Sequence, residues 1–386
     1  MRRRIIAVAT TGALALAACT GTDDASTSAT ATVGVSSTST DVDDALAVTD
    51  AAPFPSERCA ANEAAGTVTF LTGFDFAAAA SIVDVIVADA SGYYDELCLD
   101  VEIRPGFSAA NYPQVASGTA EFASGGSFSE VVAFSAANDA EFVAATVEGR
   151  SAIDTLIVKA GLATELADLA ETTIGVKGKL PPSIDVMLRN DGLVEGEDFE
   201  TVLLDGFDPI AHISIEAIAG LPGWKSNEVG ALEREGIGVQ LFDPLAFGVP
   251  GSFGVIFTSA AFVDEHPTAA QDFVRATARG LADAVADPTA AAEQAVELIT
   301  ASGNPNFLSE DGEVFRWETE AQLILDGTPE GMGLAVPDPA ILQNELDAYS
   351  EVGLFGSETA PTATDYIADG LAASVYDASS VVIWPS

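Results

Sequence analysis

The chain of 386 residues is long enough for one large core or two of ordinary size. Its 48% hydrophobic content marks a globular protein, while 15 Lys and Arg against 59 Asp and Glu leave a formal net charge of -44. That balance excludes a nucleic-acid binder, whose affinity comes from neutralising phosphates, and opposes charge-driven attachment to an anionic membrane.

The N-terminus combines Arg2-Arg3-Arg4, an apolar run from Ile5 through Ala18, and Leu16-Ala17-Ala18-Cys19. A charged region, a short hydrophobic region and a small-residue cleavage site make an export signal, and the run is too short for an ordinary transmembrane helix. Ending on cysteine, it resembles a bacterial lipoprotein signal. That resemblance implies cleavage after residue 18 and a lipid on Cys19, the alternative being a conventional signal with an incidental cysteine. Residues 19–58, rich in Ser, Thr, Ala and Asp, have little to bury and read as a flexible, low-complexity tether. Cys59 and Cys98 are an even pair in an oxidising compartment. They lie just before the first and second strands, so a disulfide is reasonable if those strands are parallel neighbours, and two unrelated buried thiols is the other possibility.

Val68-Thr69-Phe70-Leu71 reads as a strand and Ala77 to Ala90 as a largely apolar helix. Leu99 to Ile103 alternates like a second strand, Pro113 can open a helix, and Ala120 to Ser124 is a third strand. It runs into Gly125 and Gly126, then Ser127-Phe128-Ser129-Glu130, the spacing in which a hydroxyl and a carboxylate cap each other's amides. Backbone amides of Gly126, Ser127 and Phe128 can there point at a small acceptor group. Strands follow at Glu141 to Val147 and Thr155 to Val158, with a crossing to a second lobe at Lys159-Ala160-Gly161. In that lobe the spacing predicts strands at Thr173 to Lys177, Thr201 to Leu204, Glu216 to Ala219 and Val239 to Phe242. Helices are predicted at Ser183 to Asn190, after Asp208-Pro209, and from Asn227 to Glu235. A return crossing between Asp243 and Gly254 leads to a strand at Val255 to Thr258. Helical patterns then run at Pro267 to Ala286, Thr289 to Thr300, Gly312 to Leu325, Asp338 to Val352 and Asp365 to Ser374.

GYYDELCLDVEI from Gly92, PQVASGTAEFASGG from Pro113, GFDPIA from Gly206 and SNEVGALEREGIGV from Ser226 together resemble the solute-binding proteins of ABC importers. The subfamily resembled serves nitrate, sulfonates and the pyrimidine precursor of thiamine, and the likeness runs from Gly66 to the C-terminus. It implies an α/β fold of the periplasmic-binding-protein type 2 architecture: two lobes, each a mainly parallel sheet flanked by helices, joined by two hinge crossings. The first lobe would take residues 59–158, the second 159–248, and residues 249–386 would return to the first. The implied function is extracytoplasmic capture of a small molecule by a lipid-anchored monomer on the membrane face, for delivery to an ABC permease, with no cofactor. The family also has pyrimidine-synthesising enzymes that carry a cysteine- and histidine-rich motif, which this chain lacks.

His212 and His266 have no partner at zinc-ligand spacing, and no nucleophile-base pairing is visible, so catalytic and metal residues are not expected. Ligands of open parallel sheets bind at strand carboxyl ends, which selects Phe74, Asp75 and Phe76, then Gly125, Gly126, Ser127 and Phe128 in the first lobe. The second offers Lys177 and Lys179 after a strand and Trp224, Ser226, Asn227 and Glu228 at a strand-to-helix turn. Asn227 and Glu228 fall on the family's Asn-Glu pair. Aromatic stacking with an amide and a carboxylate suits a flat heterocycle such as a thiamine pyrimidine precursor. Riboflavin, an alkanesulfonate or nitrate are the alternative ligands, and an exported enzyme or a sensory surface protein on the same scaffold are the alternative functions.

Overall fold

In the computed structural model, residues 46–206, 208–304, 309–357 and 359–386 are described. The signal at residues 1–18, the lipidation site Cys19 and most of the tether lie outside them.

Two five-stranded sheets organise the protein. The first contains β1 (Thr67–Leu71), β2 (Asp100–Arg104), β3 (Phe122–Gly125), β4 (Phe142–Gly149) and β10 (Phe253–Ser259), in the order β2-β1-β3-β10-β4. The second contains β5 (Asp154–Lys159), β6 (Thr173–Val176), β7 (Glu200–Leu203), β8 (Gly220–Trp224) and β9 (Val239–Phe242), in the order β7-β6-β8-β5-β9. Within each, three strands run parallel, β2-β1-β3 and β7-β6-β8. One strand opposes its neighbours, β10 against β3 and β4, and β5 against β8 and β9. Those two are the strands on which the chain arrives from the other lobe. A segment that runs straight through a waist enters the next sheet against the direction set by its crossover-connected strands.

The first crossing therefore lies at residues 150–153, between β4 and β5, and not at Lys159-Ala160-Gly161. Thr155 to Val158 belongs to the second lobe, where Leu156 faces Pro222 and Phe242 across the two ladders. A second correction concerns β8, which begins at Gly220 where Glu216 to Ala219 was expected. Gly220 packs so closely that a Cβ would stand 2.2 Å from the Ile157 carbonyl oxygen, so glycine is required there. Pro222 is tolerated in this inner strand because β6 meets β8 only at Ile174 and Gly220, leaving no ladder partner for the missing amide.

The helices that place the cleft are α1 (Ser56–Ala64), α2 (Val83–Ala90), α3 (Tyr93–Glu96), α4 (Ser108–Ala116) and α5 (Phe128–Asn138). The second lobe adds α6 (Pro182–Asn190), α7 (Pro209–Ile213) and α8 (Glu228–Arg234), and the returning chain α9 (Ala260–Glu265), α10 (Pro267–Ala286), α11 (Pro288–Ser302), α12 (Glu310–Gly327) and α13 (Pro339–Ser350). Expected helix 77–90 shrinks to α2, because Ser81 takes a positive φ of 59° and the preceding amides bond to side chains. The expected helix at 365–374 is two short 3-10 turns.

Two clusters of the first lobe join α2 to the C-terminal helices, one through Trp317, Ile324 and Leu281, the other through Phe70, Phe122 and Phe273. Helix α13 bridges the lobes: Leu342 and Leu346 pack in a first-lobe cluster, while Tyr349 packs with Leu156 and Ile184 of the second. The tether ends sooner than residue 58, since Ala51 donates to the Trp384 carbonyl and Ser386 to that of Ala52. Cys59 of α1 and Cys98 before β2 are joined as a disulfide, their Cα atoms 5.2 Å apart.

Beside that disulfide, Asp272 of α10 is fully buried and accepts from Arg58 at 2.6 and 2.9 Å, Asn62 at 2.8 Å and Arg275 at 3.1 Å. It is the shared acidic partner of two buried guanidinium groups. Asp272→Ala is expected to destabilise the protein by about 3–5 kcal/mol in urea unfolding, a loss well beyond that of a surface Asp→Ala control.

Candidate functional site

Strand ends from both lobes meet across two adjoining hollows that share Gly126, Ile153 and Trp224. The smaller, about 40 Å³, is mostly apolar, with Phe74, Ile82 and Phe253 in its wall. The larger, about 280 Å³, is polar, and its lining includes Ser127, Glu130, Asp154, Lys177, Lys179, Ser183 and Tyr349.

Of the residues expected here, Phe74, Gly125, Gly126, Ser127, Lys177 and Trp224 do line the hollows, as does Lys179. The others are engaged elsewhere. Phe76 and Phe128 are core residues, and Asp75 accepts the Asn304 amide at 2.6 Å, on the far side of its turn. Asn227 accepts from Arg316 of α12 at 2.9 Å. Glu228 is held between the Lys177 ammonium, 2.7 Å, and the Trp224 amide, 2.8 Å, so it fixes two wall residues without standing in the wall. Ser226 donates to Glu320 at 2.6 Å. These last residues sit at a strand-to-helix turn as the pattern requires, but α12 arrives from the C-terminal third and takes the polar atoms of Ser226 and Asn227 first.

Of the three amides expected to cradle an acceptor, that of Phe128 is taken, as are the next two of the helix. At the start of α5, Phe128 donates to Ser252 at 2.8 Å, Ser129 to Glu345 at 3.1 Å and Glu130 to Ser127 Oγ at 3.3 Å. The turn ahead of α2 repeats the arrangement, with Ala78, Ala80 and Ser81 donating to Glu313, Glu320 and Glu148 at 2.8, 2.6 and 2.6 Å. At α6 the first helical residue is Pro182, which has no amide to offer.

Sequence reasoning missed Asp154. It was assigned to the approach of a first-lobe strand, and only the register of β5 reveals its place, directly opposite Trp224 on β8. Opposed residues project to the same face of a sheet, so a carboxylate and a partly exposed indole stand side by side in the cavity wall. Asp154 accepts from Ser183 at 3.2 Å and has no ion pair among the described residues. Burial pushes its carboxyl up to about 7, aided by repulsion from Glu130 and Glu228 and opposed by the Ser183 hydroxyl and Lys225. Burial likewise raises Glu345, behind the start of α5. Among the described residues no three His, Cys, Asp or Glu side chains group as a metal site requires.

Glu320 lines the smaller hollow and is bonded to both lobes, through Ala80 of the first and Ser226 of the second. With Arg316 and Asn227 it forms a direct bridge across the cleft.

The profile of the NMT1/THI5-like family matches residues 79–291. No curated protein matches the sequence. Among solved structures, the periplasmic aliphatic sulphonate binding protein SsuA of Escherichia coli aligns at 11% identity, covering 78% of this chain and 91% of its own, with a TM-score of 0.57. The ligand-binding component of an ABC-type import system from Staphylococcus aureus, with zinc bound, aligns at 14% identity over 82% and 99%, with a TM-score of 0.56. The desulfurization enzyme DSZB aligns at 15% identity over 80% and 98%, with a TM-score of 0.53. At such identities the likeness shows a shared fold.

Two outcomes follow from the geometry. A carboxyl raised from 3.8 to about 7 by folding adds stability that is complete below 3.8 and lost as pH rises through about 7. The melting temperature should therefore fall between about pH 5 and pH 8, and Asp154→Asn should flatten part of that slope. Removing the bridge with Arg316→Ala and Ser226→Ala together should loosen the lobes, seen as a larger radius of gyration in solution scattering.

Proposed function

The chain belongs to the NMT1/THI5-like family, and from that membership we propose that it is the extracytoplasmic solute-binding component of an ABC importer. It captures a small heterocycle of the thiamine-precursor kind by lobe closure and presents it to a permease, tethered through a lipid on Cys19. The observation that carries this reading is a polar cavity of about 280 Å³ whose wall is supplied by both lobes. A ligand that touches both walls binds the closed form better than the open one, which is what a capture-and-release cycle needs.

Size narrows the ligand. The cavity lies below the range of about 300–1,000 Å³ typical of pockets for drug-sized molecules. A single ring fits that space better than the three fused rings of riboflavin. The Trp224 indole supplies a stacking face, and Lys177, Asp154 and Ser183 supply charge and hydrogen bonds at its rim.

DSZB brings the competing reading, an enzyme on this scaffold. What speaks for capture is where the reactive groups sit. His212 is buried in α7 with Nε2 against the Asp205 carbonyl, His266 precedes α10 on the first lobe, and Cys59 and Cys98 are tied to each other. The cavity hydroxyls of Ser127 and Ser183 have no imidazole beside them to accept a proton.

Purified protein should be stabilised by one member of a panel of heterocycles, by about 2.7 kcal/mol at a hundred times its dissociation constant. The compound should be recovered unchanged by mass spectrometry. Recovery of a transformed product would favour the enzyme, and a panel without effect would count against capture altogether.

A further inference from the structure

We propose that Asp154 selects a ligand bearing a protonated or N–H-rich nitrogen on a flat ring, and that the cleft rejects anions. This rests on the solute-binding reading and adds the charge class of the ligand. Two independent observations carry it.

First, the wall has the chemistry of a cation site. Asp154 and Trp224 are cross-strand partners on one face, the carboxylate partly accessible to the cavity and bonded only by one hydroxyl, the indole 39% exposed. An indole face attracts a cation through its quadrupole, and the neighbouring carboxylate can accept the N–H groups of the same ring. Of the basic groups nearby, Lys177 pairs with Glu228 at 2.7 Å and Lys225 with Asp243 at 2.8 Å, while Lys179 and Glu130 share the lining with Asp154.

Second, five of the backbone donors an anion would use are engaged within the protein. Sulfonates and nitrate are bound by backbone amides at helix starts. In this cleft the starts of α2 and α5 donate instead to Glu313, Glu320, Glu148, Glu345 and Ser252, and α6 opens on proline. An anion drawn to those amides would have to displace buried side chains already bonded to them.

The test is a calorimetric and thermal-shift comparison of charged probes on the full chain. Thiamine, its aminopyrimidine alcohol precursor, choline and benzamidine stand on one side, ethanesulfonate, benzenesulfonate and nitrate on the other, with riboflavin as a neutral flat control. Binding is expected from the nitrogen-bearing set alone, and Asp154→Asn should weaken the best of them at least about tenfold while the far-ultraviolet spectrum stays unchanged. Should that variant not fold, wild-type affinity for a permanently charged probe is measured against pH. It should rise about tenfold or more from about pH 5.5 to pH 8 as the carboxyl ionises. The groups facing it are Glu130, Glu228, Lys177, Lys179, Lys225 and Tyr349. The Tyr349 hydroxyl, raised by burial, stays neutral in that window. Anionic probes binding best, or affinity indifferent to Asp154 and to pH, overturns the charge assignment and leaves solute capture standing. Silence from every probe overturns both.

Discussion

Carboxylates of the protein itself occupy the helix starts that face the cleft, and the shape of the site depends on that. An exposed helix N-terminus attracts anions because its first amides have no internal partner. Here Glu148, Glu313, Glu320 and Glu345 reach those amides from β4, α12 and α13. Each is buried, so each is held where a partner pays for its desolvation. The C-terminal helices are thereby located by charge as well as by apolar packing. Glu320 does both jobs at once, since its second oxygen receives Ser226 from the opposite lobe.

Much of the fold could be read from the chain because its strands and helix starts carry local signals. Ser127 with Glu130, and Asp208 before Pro209, cap helices as their spacing predicts. The order of elements along the lobes is equally legible. Two features escaped for the same reason: they depend on partners distant in sequence. Gly220 to Trp224 looks like a turn on its glycines and proline, and pairs as a strand with β5, where Gly220 lies opposite Val158 with no room for a side chain against the Ile157 carbonyl. The four-residue crossing at 150–153 is invisible because β5 reads alike in either sheet.

The site was legible in outline and wrong in detail for a related reason. Glycines and aromatics at strand ends do mark the cleft, as Gly126 and Trp224 show. Whether a polar side chain there is available is decided by what reaches it from elsewhere. Asn227 and Glu228 are bound within the protein, to Arg316 and to Lys177 with the Trp224 amide. Asp154 is the reverse case, inconspicuous among 59 acidic residues until the register of β5 sets it beside Trp224 in the cavity wall. In so acidic a chain, a carboxylate becomes informative through its surroundings.

The bridge made by α12 also changes what ligand binding must accomplish. In a receptor whose lobes meet only through the ligand, the entire difference between open and closed forms has to come from ligand contacts. Here the Glu320–Ser226 and Arg316–Asn227 bonds join the lobes outside the polar cavity, and α13 braces them through Tyr349. A form held partly closed in advance lowers the free energy that a small ring must supply, because apparent affinity scales with the population of the competent state. The same bonds slow release unless something opens them. Any movement of the second lobe away from α12 would break both hydrogen-bonded contacts together.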